Sequence, residues 1–154
     1  MKLYTIGFTQ KTAEEFFESL NAKDISLLID IRLNNKSQLA GFAKGRDLKY
    51  FLKKLGNIDY AHEIDFAPTK ELLDDWKKKR ISWEEYENIY NQLLIDRSAE
   101  NIFKEHYLDS QNVLSHNICF LCSENTPDYC HRRLLANYLK KTCLELNNSE
   151  IIHL

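Results

Sequence analysis

Two cysteines, a glutamate, a histidine and two arginines crowd the stretch from Cys122 to Arg133, which reads Cys-Ser-Glu-Asn-Thr-Pro-Asp-Tyr-Cys-His-Arg-Arg. These side chains can perform covalent cysteine chemistry: the thiolate is the nucleophile, and positive neighbours or a helix N-terminus lower a thiol's pKa. In that reading Cys130 or Cys122 attacks, His131 transfers the proton and Glu124 or Asp30 orients the groups, while Arg32 and Arg132 clamp an anion. Against it stands the commoner use of cysteine as a small buried hydrophobe, and of carboxylates and arginines as a buried ion-pair network. Soft donors also raise a metal site, because Cys119-x-x-Cys122 precedes Cys130-His131. On a strand, however, positions 119 and 122 point to opposite faces. No metal or cofactor is therefore assigned, and Cys119 and Cys143 read as core filler.

The elements that must position these groups follow from hydrophobic pattern and capping signals. Ile118 to Cys122 is a short apolar run, the mark of a strand buried on both faces. A helix over 128–144 follows, with Thr126 as cap, Pro127 at its first position and Asp128 against the dipole. Its apolar face, Leu134, Leu135, Tyr138 and Leu139, turns His131 inward and Arg133 outward. Further strands are expected at Lys2–Ile6, Ile25–Ile31, Ile58–His62 and Glu150–Leu154. Helices are expected at Ala13–Leu20, with a Thr12/Glu15 capping box, and at Asp47–Leu55, ended by Gly56. Three more follow at Lys70–Lys79, Trp83–Ile95, with a Ser82/Glu85 box, and Ala99–Leu108.

Alternating strands and helices imply a single three-layer α/β/α domain over 1–154, with a mostly parallel, Rossmann-like sheet and a helical insertion at about 69–110. Thr9, Asp30, Arg32, His62, Cys122, Glu124 and His153 then share the carboxyl edge of that sheet, where α/β folds bind ligands. The aromatic residues Trp76, Trp83, Tyr86, Tyr90 and Phe103 recur at helical spacing and read as packing within the helical block.

Four cysteines with no secretory signal read as reduced thiols in a cytoplasmic protein. No run of about 18 apolar residues suggests a membrane span. A net charge of −2 gives no global pull toward nucleic acid. A local patch remains as an alternative: Lys36, Lys44, Arg46, Lys49, Lys53 and Lys54, interleaved with Phe42, Tyr50 and Phe51, suit phosphate contact and base stacking. Lys77-Lys78-Lys79-Arg80 is a second basic run.

Three motifs carry a family resemblance. They are Thr5-Ile6-Gly7, a strand ending Asp30-Ile31-Arg32 with Ser37 beyond it, and Cys122-Ser123-Glu124…Pro127…Cys130-His131-Arg132. On them the chain resembles the DUF488 family over nearly its whole length, and His153 falls where that family tends to carry a histidine. Two positions depart from the pattern: Phe8 stands where the family has His or Tyr, and Glu63-Ile-Asp-Phe-Ala-Pro68 replaces a Leu-Gly-Gly. The resemblance implies the fold and the site but names no reaction. The resulting expectation is an enzyme acting on a small anionic or nucleotide-derived ligand. Cys130, His131, Cys122 and Glu124 are catalytic, and Gly7, Thr9, Asp30, Arg32, Ser37 and Arg132 bind the ligand. The alternative is a non-catalytic nucleotide or nucleic-acid binding module, and no oligomeric state is implied.

Overall fold

The computed structural model describes residues 2–36, 41–108 and 117–154, so Ser37 lies outside the described residues. Five strands form one parallel sheet in the order β3-β2-β4-β1-β5. They are β1 (Leu3–Gly7), β2 (Ile25–Asp30), β3 (Asp59–His62), β4 (Asn117–Cys122) and β5 (Ile151–His153). Every residue of β1 and all but the first of β4 are buried, because helices cover both faces of these central strands.

One face is covered by α1 (Ala13–Asn21) and α2 (Gly45–Gly56), whose Phe16, Phe17, Leu20, Leu48 and Leu52 pack on Tyr4, Ile6, Leu28, Cys119 and Leu121. The other is covered by α3 (Lys70–Lys77), α4 (Trp83–Asp96), α5 (Ala99–Phe103) and α6 (His131–Thr142). Their Leu72, Tyr86, Tyr90, Phe103, Leu135 and Leu139 pack on Leu3, Ile29, Ile118 and Phe120. A π-helical turn, Lys104–Leu108, continues α5 and brings His106 and Tyr107 to the buried carboxylate of Glu63.

The capping boxes at Thr12/Glu15 and Ser82/Glu85 are present as expected. Several helix ends differ from expectation, two of them in how they are capped. Residue Gly56 lies inside α2, which is ended by Asn57 in the left-handed conformation at φ 50°. At the other, α6 begins at His131 rather than 128, and Thr126, Pro127 and Asp128 belong to a turn that precedes it. That turn is closed by its own carbonyls: Cys130 N–H donates to Pro127 O at 3.2 Å, and the Arg133 guanidinium donates to Pro127 O and Asp128 O. These bonds leave Cys130 extended, at φ −138° and ψ 135°, as the residue before the helix.

Chain direction decides where a crevice opens. The connections leaving β1 and β2 run to the α1/α2 face, whereas the one leaving β4, which lies between those two strands, runs to the α6 face. Loops that diverge in this way from neighbouring carboxyl ends leave room for a ligand.

Candidate active site

At this point of divergence β4 delivers Cys122, and α6 returns His131 beneath it. The Cys122 sulfur lies 3.6 Å from His131 Nδ1 and 3.8 Å from Nε2. The Nε2 atom is 2.9 Å from the carbonyl oxygen of Ile31, which places the ring proton on Nε2 and leaves Nδ1 as the acceptor nearest the thiol. The Tyr90 and His131 rings pack in a T-shaped arrangement with their centroids 5.5 Å apart. The ligand atoms of Cys122, Cys130 and His131 all lie within 4.8 Å of one another, so the two thiols are neighbours. Cys119 is absent from this group because it points into the opposite core, where burial pushes its thiol pKa up. Among the described residues, those three are the ones placed to hold a soft metal ion.

The two thiols ionise differently. Cys122 is held below the ordinary thiol pKa, chiefly because the Cys130 S–H donates to it, with the Ser123 and Glu124 backbone N–H groups and the Arg132 charge adding to that against desolvation. Cys130 is pushed well above the ordinary value by burial and by the neighbouring Cys122 sulfur. Of the two, Cys122 gives up its proton more readily. The helix terminus is expected to lower the pKa of Cys130; its side chain makes no capping hydrogen bond to the first turn of α6, and burial raises the pKa instead.

The arginines hold the architecture. Arg132 is fully buried, and each guanidinium nitrogen has a protein partner: Nε donates to Thr5 Oγ1, Nη1 to the Glu124 carbonyl and towards Cys130 Sγ, and Nη2 to the Asn125 carbonyl. It pins the turn whose amides face Cys122. Thr9 helps, its N–H and Oγ1 both donating to Ser123 O. Gly7 makes the approach of the turn possible, because a Cβ there would lie 1.6 Å from the Glu124 carbonyl oxygen.

Arg32 forms a bidentate pair with buried Asp30, Nε to Oδ1 at 2.8 Å and Nη2 to Oδ2 at 2.7 Å, and Nη2 also donates to Ala43 O. Tyr60 OH donates to the remaining side of Asp30 Oδ2 at 2.8 Å. The carboxylate is therefore occupied in orienting Arg32. His62 is 2.7 Å from Arg32 O, and His153 Nδ1 is 2.7 Å from Thr5 Oγ1.

A cleft of about 180 Å³ opens over the thiols. Its floor includes Cys122, Cys130 and His131, its mouth Arg32 and the exposed Glu124, and its far wall Trp76, Tyr86 and Tyr129. That aromatic wall, with Lys77, comes from the helical block and the turn before α6; the sequence pattern marked Trp76 and Tyr86 only as packing and Lys77 only as part of a charge run, and gave Tyr129 no role. In the basic 36–54 segment, Phe42 and Phe51 pack against the α1/α2 core. Lys53 pairs with Asp59, Arg46 with Asp47, and Lys54 sits over the Tyr50 ring.

The family profile described as "Domain of unknown function DUF488" matches residues 12–139. The chain belongs to the DUF488 family. The match covers the Asp30-x-Arg32 strand and the whole Cys122–Arg132 turn. No curated protein and no solved structure matches the chain. Among the described residues, no helix is long and apolar enough to cross a membrane.

Proposed function

We propose that this DUF488 domain is a cysteine-dependent enzyme that acts on a small anionic ligand in the carboxyl-edge cleft, with Cys122 as nucleophile. The observation that carries the reading is the buried cluster on the cleft floor: the Cys122 sulfur lies 3.6 Å from His131 Nδ1, with the ligand atoms of Cys122, Cys130 and His131 within 4.8 Å of one another, and the surroundings of Cys122 lower its pKa in spite of burial. A buried structural cysteine needs none of these groups, and burial alone would raise its pKa, as at Cys119. In the reaction the Cys122 sulfur bonds to the electrophilic centre of the ligand. The leaving group departs with the Cys130 proton, and water or a second substrate then takes the group from sulfur. His131 positions the thiol pair and accepts or returns a proton at Nδ1. Arg32 holds the anionic part of the ligand, while Arg132, Gly7 and Thr9 keep the turn in place.

The test is alkylation of the folded protein as a function of pH, resolved cysteine by cysteine by mass spectrometry. Cys122 is expected to label first, and at a pH below that at which Cys119, Cys130 or Cys143 reacts. Cys130→Ser should raise the pH at which Cys122 labels, because its strongest donor changes. Labelling of Cys122 only upon unfolding, in step with Cys119, would overturn the proposal.

A further inference from the structure

We infer that the ligand of this cleft is a two-part molecule, a flat aromatic or heterocyclic group joined to a phosphate-type oxyanion, of which a nucleoside monophosphate is the simplest example. The inference deepens the thiolate reading and rests on it for the position of the reacting atom.

The cleft over the thiols does not end at Arg32. A second hollow of about 750 Å³ begins there, bounded by Phe8, Gln10, Lys11 and Phe42. The two share Arg32, Asn34, Lys77, Ser123 and Glu124, so they form one trough with Arg32 and Lys77 at its middle. Its two ends differ in chemistry. At the thiol end, Tyr129 is 60% exposed at the lip and stacks on Trp76 with ring centroids 6.0 Å apart and planes 29° from parallel. An open aromatic face beside a reactive floor is a platform for a flat group.

At the middle and far end the trough is cationic: Lys11 and Lys77 line it with one carboxylate, Glu124, beside Arg32, which has its own partner in Asp30. Arg32 is the anchor. Its side chain is 4% exposed, and Asp30 and the Ala43 carbonyl occupy Nε and Nη2. Its third nitrogen, Nη1, has no partner among the described residues. Nor is it sealed from solvent, since Trp83 Nε1 is the only fully buried side-chain nitrogen or oxygen without a partner in that set. Phe8 packs 5.1 Å from the guanidinium centre and restricts it further. A guanidinium locked by its own carboxylate, with one donor left towards a cleft, is preorganised for an oxyanion. Burial, and then the charge of Arg132, hold the Lys11 amine below its ordinary pKa, consistent with a positive field here. With Arg32 balanced by Asp30, Lys11 and Lys77 outweigh Glu124, so the trough carries a net positive charge that suits an oxyanion, and Arg32 Nη1 offers it a hydrogen bond.

The experiment is calorimetric titration of the full chain with adenosine and uridine monophosphates, the unphosphorylated nucleosides, inorganic phosphate and benzoate. The expected result is saturable binding of a monophosphate, with the nucleoside, phosphate alone and benzoate each at least tenfold weaker. Lys77→Glu and Tyr129→Ala, both at exposed positions, should each weaken the monophosphate about tenfold or more without loss of fold. Absence of monophosphate binding, equal binding in both variants, or benzoate binding as tightly as the monophosphate would overturn the inference. The two proposals fail separately. Fast Cys122 labelling without monophosphate binding removes only the ligand assignment, whereas monophosphate binding with an inert Cys122 removes the nucleophile.

Discussion

Gly7 shows how much one side chain can decide. Its backbone is not in the left-handed region, so the turn geometry alone does not demand glycine. What demands it is the Glu124 carbonyl, which would meet an added Cβ at 1.6 Å while Arg132 Nη1 would lie 3.0 Å away. Gly7→Ala therefore pushes the 124 carbonyl off Arg132 and tilts the amides that face Cys122. Overpacking of this kind costs about 1–3 kcal/mol, to be read from urea unfolding midpoints, and the pH at which Cys122 labels should rise in the same variant. A variant with wild-type stability and labelling would show that the turn has slack. The residue types at this site, and Gly7 itself, were legible from spacing and motif. Which thiol is the more acidic was not, because that depends on how Cys130, Arg132 and the 123–124 turn meet around Cys122.

At the scale of elements, local and tertiary causes separate cleanly. The α1 and α4 starts were readable because the capping box is made within four residues: Thr12 with Glu15, and Ser82 with Glu85. Replacing Ser82 with Ala should cost about 1 kcal/mol of stability, measured by thermal or urea unfolding. It should leave Cys122 labelling unchanged, since the α4 start contributes no residue to the cleft floor. The start of α6 was misplaced because Arg133 and Cys130 N–H satisfy the turn carbonyls from outside any capping pattern. The consequence reaches the chemistry: Cys130 lies ahead of the helix, extended and buried, and its thiol pKa is raised instead of lowered.

For the whole molecule, the five strands bring residues more than a hundred positions apart into one network. Arg132 donates to Thr5, and the Thr5 hydroxyl meets His153 on β5. Desolvation first, then the charges of Arg132 and Arg133, keep the His153 pKa below its ordinary 6.5. The folded state therefore resists a proton that the unfolded chain accepts. Stability from this source is complete above pH 6.5, declines as the pH falls through the depressed folded value, and levels below it. Unfolding midpoints taken between pH 7.5 and 5 should fall in the wild type with a component that His153→Asn removes. An unchanged slope in the variant would place the acid sensitivity elsewhere.

The amino-acid sequence by itself determined the alternation of strands and helices, the parallel sheet, the carboxyl-edge location and the side chains gathered there. Each of these follows from periodicity, caps or motif, which are properties of neighbouring residues. Only the tertiary structure decided the strand order, the lower pKa of Cys122 relative to Cys130 and the use of Arg132 and Thr9 to hold a turn. It also decided the aromatic wall, which α3, α4 and Tyr129 build across the cleft. The reason is physical: hydrogen-bond direction, burial and shared space between segments are set when distant parts of the chain meet, and no local pattern records them.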